Sequence, residues 1–430
     1  MTDTILLGVA EVDITPVRPI HLAGFSFRTE PFESISTPLS LKCFLFGESL
    51  QGQEKRRTAV FSADLLWWGR DTVATVRRVL LAEVPQAQDW NLVFLATHTH
   101  CGPQVSCYFA SGLGQPDGEY VSFLTDAVVR VAREADARHT RVRAVRYEGT
   151  SDISINRRKV IDGAMTMAPN PDGPRSPRIL LTEFMGDDGN CVAVMACSTC
   201  HPTTSGDNRV DKEFLAQGLD LYLQKHAPQA VGMFVQGCCG DVRPALVKAG
   251  KFYRGSLDNE TRQLAVQFAQ ELESARKGQG LPVSFFDSPR LETSVVDLPL
   301  ATGFDHEDRA SLVFATDEKA EWARHFADTP VPQSIPLELA YLSLADVLSF
   351  FFYSGEVVGE YGRYVEKLSG GNVWAGGYYN GMTTYIPTDS QVPEKGYEAY
   401  DALFYFLAPA PFSVGVEDVL KKATQDLLRM

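Results

Sequence analysis

Long apolar runs are missing from this chain. Nowhere in its 430 residues does a hydrophobic stretch approach the roughly 18–20 residues of a membrane-spanning helix, which excludes a stable helical membrane anchor. Excess positive charge is missing too. Lys and Arg number 40 against 54 Asp and Glu, a formal net charge of −14, and that balance argues against nucleic-acid partners and anionic membrane surfaces, though it permits a local basic pocket. The N-terminus, Met1-Thr-Asp-Thr4 followed by Ile5-Leu-Leu-Gly-Val-Ala10, lacks a basic leader region, and Glu11 and Asp13 interrupt the apolar run at once. A cytoplasmic protein is the expectation. Its eight cysteines are then expected to be reduced and mostly buried thiols. There is no low-complexity segment, no flexible linker and no repeat. Histidine is scarce, with eight in the whole chain, so the position of each one carries information.

What is present is the composition of an ordinary globular enzyme, 44% hydrophobic and 22% charged. Strand-like runs lie at Ser40–Phe46, Thr58–Ser62, Asn91–Ala96, Arg141–Tyr147, Arg178–Phe184, Cys191–Cys197 and Ala230–Val235. Helical periodicity marks Asp71–Val84, Glu119–Ala135 and Asp258–Ala275. The alternation predicts an α/β fold, a mixed β-sheet core with flanking helices. The prolines at 169, 171, 174 and 177 mark Ala168–Pro177 as a long loop. Residues Gly278–Gly303 read as the passage from an α/β core (1–277) into a C-terminal part (278–430), the two packing as one catalytic unit. The latter carries a strand-like Leu337–Leu342, an aromatic cluster at Phe350–Tyr353 and a closing helix at Val416–Leu428.

The segment Asn91-Leu-Val-Phe-Leu-Ala-Thr-His98-Thr-His100-Cys-Gly-Pro103 is an apolar strand that ends in two histidines. Side chains two apart on an extended chain point the same way, so His98 and His100 can enter one pocket. A second apolar strand, beginning at Cys191, ends in Cys197-Ser-Thr-Cys200-His201. Imidazole is the commonest metal ligand, and three histidines at strand ends plus a carboxylate would satisfy a catalytic zinc site with an open position for water. A pair of satisfied core or surface histidines is the plainer alternative. His21 sits in a turn, whereas His139, His226, His306 and His325 read as solvated surface. The CxxCH string is also the haem-attachment signature, but the absence of a leader and its place after a strand set that aside. The vicinal pair Cys238-Cys239 is a poor zinc chelate and reads as buried small hydrophobes.

Taken in order, the motifs resemble those of the neutral, non-lysosomal ceramidase family, zinc amidases that cleave the N-acyl bond of ceramide. Gly8-Val-Ala-Glu-Val-Asp-Ile-Thr15 with Ala23-Gly24-Phe25 is similar to that family's opening, and Phe61-Ser-Ala-Asp64 to a strand end that follows it. Thr97–Pro103 matches its THTHSGP motif except at Cys101. Ser154-Ile-Asn-Arg157 and His201-Pro-Thr203 resemble its NxNR and second histidine motifs. Gly240-Asp241-Val-Arg243-Pro244 resembles GDVSP, Gly355-Glu356 its ligand glutamate, and Tyr385-Ile-Pro-Thr388 its YxTT tyrosine motif; Tyr397 stands where the family has a second active-site tyrosine. The resemblance spans almost the whole chain. It implies one Zn²⁺ per chain held by His98, His201, Glu356 and Tyr385, with His100 as an acid–base residue and Arg157 and Tyr397 on the substrate carbonyl. A solvated basic turn at Arg157-Arg-Lys159 is the plainer reading of that stretch.

Three departures bear on substrate. The chain runs only about thirty residues beyond Tyr397, so the family's C-terminal immunoglobulin-like domain is expected to be absent. The secretion leader typical of the family is not evident. Arg243 replaces a serine and would favour an anionic substrate through bidentate pairing, unless it pairs with Asp241. The function expected is zinc-dependent hydrolysis of an N-acyl bond by attack of metal-bound hydroxide, on a lipid amide or a small or anionic one. An esterase or lactonase on the same site, or an inactive binding protein with this fold, are the alternatives.

Overall fold

In the computed structural model, residues 1–47, 57–302, 304, 317–327 and 329–429 are described. Each of the strands read from the core sequence is present within three residues at either end. They join one large mixed sheet with the order Val231–Gln236, Cys191–Ser198, Arg178–Gly186, His139–Thr150, Ile5–Asp13, Ser40–Phe46, Arg57–Ala63, Trp90–Ala96. The two pairs at the outer edges are parallel, Arg57–Ala63 with Trp90–Ala96 and Cys191–Ser198 with Val231–Gln236; the pairs between them are antiparallel. The sheet curls until its edges meet: Ser62 Oγ donates to the Phe234 carbonyl, 2.9 Å away, in the opposite edge strand. In a flat sheet the carboxyl ends of the two parallel pairs would lie far apart. Curling brings them to one place, which is where α/β sheets hold their ligands.

Apolar alternation decides what covers each face. The helices Arg70–Glu83 and Gly118–Ala137 bury Val73, Val76, Leu80, Leu124, Val128 and Val131 against one outer part of the sheet. Glu213–His226 and Arg262–Arg276 cover another, through Phe214, Leu219, Tyr222, Phe268 and Leu272. These last two helices approach closely at Gly218, where a Cβ would stand 2.7 Å from the Ala265 carbonyl oxygen. The inner face packs on a four-stranded sheet of Phe285–Pro299, Ser334–Ala345, Ser349–Tyr353 and Val373–Gly376, with Leu342, Phe350 and Phe352 set against Phe44, Phe184 and Met233. The closing helix Val416–Leu428 forms as predicted. The fold class is the mixed α/β one expected.

Several local readings need correction. The predicted loop Ala168–Pro177 begins inside a strand, Ala164–Asn170, which pairs with Ser154–Ile161 as the outer strand of a three-stranded sheet. Pro169 is tolerated there because an edge strand has one side without ladder bonds. The passage Gly278–Gly303 is not among these: within it Leu281–Pro282 joins the large sheet and Phe285–Pro299 the smaller one. His139 is half-buried against Arg57 and Asp136 rather than solvated, and His306 lies outside the described residues. The cysteines are free; Cys107 alone is exposed, Cys191 is half-buried and the others, Cys238 and Cys239 among them, are buried. No helix among the described residues is long and apolar enough to cross a membrane.

Candidate metal centre

Each parallel edge pair supplies one histidine and, from the neighbouring strand, the group that orients it. His98 follows Trp90–Ala96, and its Nδ1 lies 2.8 Å from the carbonyl of Leu66, just past Arg57–Ala63. His201 follows Cys191–Ser198, and its Nδ1 lies 3.0 Å from the carbonyl of Cys239, just past Val231–Gln236. A carbonyl only accepts, so Nδ1 carries the proton in both rings and both Nε2 atoms present lone pairs. These bare nitrogens stand 3.0 Å from each other. Oε1 of Glu356 lies 2.9 Å from the His201 Nε2 and 3.4 Å from the His98 Nε2. Three electron-rich atoms therefore face one another in a site where His98 is 0% exposed and His201 and Glu356 1%. Without a cation such a meeting is repulsive; with one it is a ligand set.

Glu356 and Tyr385 are direct partners on a short parallel ladder of Glu356–Val357 with Tyr385–Ile386, so their side chains share one face. The Tyr385 hydroxyl stands 3.4 Å from the His201 Nε2. Burial, and then the neighbouring Glu356, push its phenol well above the usual tyrosine range. A cation would oppose both effects, since a bound ion inverts the local proton preference. Burial also raises the Glu356 carboxyl, but positive charge on His98 and His201 would outweigh it and hold the group well below the ordinary range, as a cation between them would. His98 itself adopts a left-handed backbone conformation (φ 66°), a strained state for a β-carbon-bearing residue held where function requires it.

His100 is also brought in. One ligand atom from each of His98, His100 and His201 lies within 4.8 Å of the others, so a three-histidine group is a second possible ligand set. His100 differs in one respect: among the described residues neither of its ring nitrogens has a hydrogen-bonding partner. No carbonyl fixes its tautomer. Burial, and then the two neighbouring histidines, push its pKa well below the imidazole value, so the ring is neutral at neutral pH. Its Nδ1 edge rests on Gly24 (φ 102°), where a Cβ would come within 2.5 Å.

Arg157 is not in a solvated turn. It and Arg158 are 4% and 6% exposed on the strand Ser154–Ile161. The Arg157 Nε donates to Glu398 Oε1 (2.7 Å) and its Nη2 to the Tyr385 hydroxyl (3.1 Å), while Arg158 Nη1 donates to Glu398 Oε2 (2.7 Å). The Arg157 guanidinium also faces the rings of Tyr385 and Tyr397, at 5.6 and 5.3 Å. Arg243 does not pair with Asp241. That carboxylate is already engaged by the Gly359 amide (2.8 Å) and the Asn156 Nδ2 (3.2 Å). Arg243 instead lies over Phe252 at 4.6 Å and makes a single long contact, 3.5 Å, to the Thr203 carbonyl. Six of the residues predicted for the site, His100, Arg157, His201, Arg243, Tyr385 and Tyr397, line one cavity of about 190 Å³; His98 and Glu356 lie behind it, against His201.

Two participants escaped the sequence reading. Glu398 anchors both arginines, and its signal was adjacency to Tyr397. Tyr378 stacks on His98 at 3.9 Å between ring centroids, with its hydroxyl 3.0 Å from the Cys239 sulfur and its own φ at 61°. Its signal was the glycine-flanked run Gly376-Gly-Tyr-Tyr-Asn-Gly381.

No protein-family model matches the chain, and no curated protein matches its sequence. Solved structures do. A neutral ceramidase from Pseudomonas aeruginosa aligns at a TM-score of 0.74 and 17% identity, over 99% of this chain and 74% of that one. A ceramidase complexed with C2 aligns at a TM-score of 0.74 and 17% identity, over 100% of this chain and 76% of that one. With curled sheet, helices and inner sheet running the whole length of the alignment, the chain has the neutral-ceramidase-like fold.

Proposed function

We propose that this chain is a zinc-dependent amidohydrolase that cleaves an N-acyl bond. The observation that carries the reading is the pair of carbonyl-anchored histidines whose bare Nε2 atoms converge on one carboxylate oxygen. His98, His201, Glu356 and Tyr385 would hold the ion. Zinc in such a site supplies Lewis acidity and brings the pKa of a water toward 7. The chain's own residues do the rest. His100, neutral and without a fixed tautomer, takes a proton from water at a ring nitrogen and returns it to the leaving amine. Arg157, held by Glu398, and Tyr397 face the cavity, where their donors can orient the acyl oxygen and stabilise the charge that grows on it. Tyr397 is raised above the usual phenol range, by burial first and Glu356 among its neighbours, so it stays a donor. An amide, unlike an ester, needs a proton for its leaving amine, and the unpartnered His100 is the group equipped to deliver it.

The test is metal analysis of the purified chain followed by assay of the zinc-loaded protein against matched N-acyl amides and esters. One zinc per chain with amide turnover is expected, and His100→Ala should depress amide cleavage more than ester cleavage. A chain that neither holds zinc nor is activated by it would sink the reading.

A further inference from the structure

Three arginines border the cavity, yet they are not alike. Arg157 is neutralised by Glu398. Among the described residues Arg243 and Arg254 have no carboxylate partner and the Nε of Arg243 has no hydrogen-bonding partner. Both are nonetheless held in place by aromatic rings. Arg243 lies over Phe252 at 4.6 Å, and Arg254 lies over Phe27 at 4.2 Å and Phe25 at 4.8 Å. Phe25 in turn packs against His100, 4.8 Å between centroids, so the Arg254 platform adjoins the proposed acid–base residue. Burial, and then Arg157 and Arg254, lower the Arg243 pKa to about 10; the charges that reach it are chiefly cationic. An unpaired guanidinium that is partly buried beside other cations, as Arg243 is, is costly, and an anion placed between it and the exposed Arg254 lowers that cost. It is notable that this occurs in a chain of net charge −14.

Size points the same way. Pockets for drug-sized ligands run from about 300 Å³ upward, whereas this cavity holds about 190 Å³. A small molecule fits within it. We propose that Arg243 and Arg254 form an anion subsite, and that the substrate is a small N-acyl compound bearing a carboxylate or another oxyanion. The proposal rests on the amidohydrolase reading for the bond cleaved, but its binding term stands apart from turnover.

The experiment is calorimetric titration of the full chain, as purified with its metal, with N-acetylglycine, N-acetyltaurine and uncharged N-acetylglycinamide. The same titrations are run on Arg243→Gln, Arg243→Lys and Arg254→Gln; Arg254 is exposed, so its variant tests the subsite even if Arg243→Gln folds poorly. The wild type should bind an anion roughly tenfold or more tighter than the amide, as expected for charge-assisted bonds. That preference should collapse in both glutamine variants and return in part in Arg243→Lys. A stronger preference for the carboxylate than the sulfonate assigns the planar anion, and the reverse assigns the tetrahedral one. Equal affinity of the wild type for charged and neutral compounds, or full preference retained in Arg254→Gln and Arg243→Gln, overturns the subsite. Anion preference without hydrolysis of any N-acyl compound would support the subsite and sink the amidohydrolase reading alone.

Discussion

Glu356 and Glu213 are equally buried, at 1% and 0% exposure, and the chain treats them in opposite ways. Glu356 faces two imidazole nitrogens and is held well below the normal carboxylate range despite its burial. Glu213 has an acid for its neighbour. Burial first, and then Asp211, raise it to about 8. A carboxylate in an apolar interior keeps its charge only where positive or cation-binding partners compensate it, and otherwise it keeps its proton. Glu356 therefore shares its site with the histidines proposed as metal ligands, and Glu213 lies where burial and an acidic neighbour favour the protonated form. Glu398 is a third case: charged, buried and compensated by two arginines.

The contrast breaks most directly at the histidines. Replacing both His98 and His201 by Ala should abolish metal binding, remove activity and lower thermal stability together, because a bound ion contributes its binding energy to folding. Stoichiometric zinc in that double variant, measured by elemental analysis, would end the assignment. His100→Ala sharpens the same point, since it should keep zinc yet lose roughly 10²–10⁴-fold in turnover. Loss of zinc from His100→Ala would instead put His100 among the ligands and favour the three-histidine set. Next comes Glu398→Ala, which leaves Arg157 and Arg158 buried with one carboxylate, Glu394, between them. Breaking a buried pair from one side costs about 3–5 kcal/mol, readable as a fall in denaturant midpoint, and a loss under about 1 kcal/mol would remove Glu398 as the anchor.

How much of this was legible in the sequence follows from the range of each interaction. Strands and helices with a clean period were readable, because apolar alternation is local; Ser40–Phe46 and Val416–Leu428 fall where the pattern puts them. The helix Glu213–His226 was overlooked although Phe214, Leu215, Leu219, Tyr222 and Leu223 follow a helical period. His98 and His201 were legible as strand-end histidines. Glu356 and Tyr385 were nominated by the family resemblance, and their pairing on one ladder is a tertiary fact. What no local pattern carries is the curl of the sheet that brings opposite edges together. The Leu66 and Cys239 carbonyls, which fix the two histidine tautomers, are equally silent, since a backbone group leaves no mark in composition. The alternative of an Arg243–Asp241 pair falls for a related reason: Asp241 is nearest in sequence, but a backbone amide and an asparagine claim it first.

The smallest expected effect tests the other glutamate. Glu213 opens its helix in a left-handed conformation (φ 61°), and its amide donates to Asp211 Oδ1 at 2.7 Å, which fixes the two acids side by side. Its ordinary carboxyl would ionise near 4.5 in the unfolded chain and near 8 in the folded one. Below the lower value both states are protonated and the group costs nothing. Between the two, the unfolded chain releases a proton that the folded chain retains, so stability falls as pH rises, and the fall ends above about 8. Glutamine mimics the protonated acid in shape and in its ability to donate. Glu213→Gln should therefore leave stability near pH 5 almost unchanged and raise it at pH 8 by on the order of 3 kcal/mol. Urea denaturation at the two pH values measures the difference. An unaltered pH slope in the variant would mean that Glu213 is ionised in the folded protein and that a cation, rather than a proton, compensates this pair of acids as well.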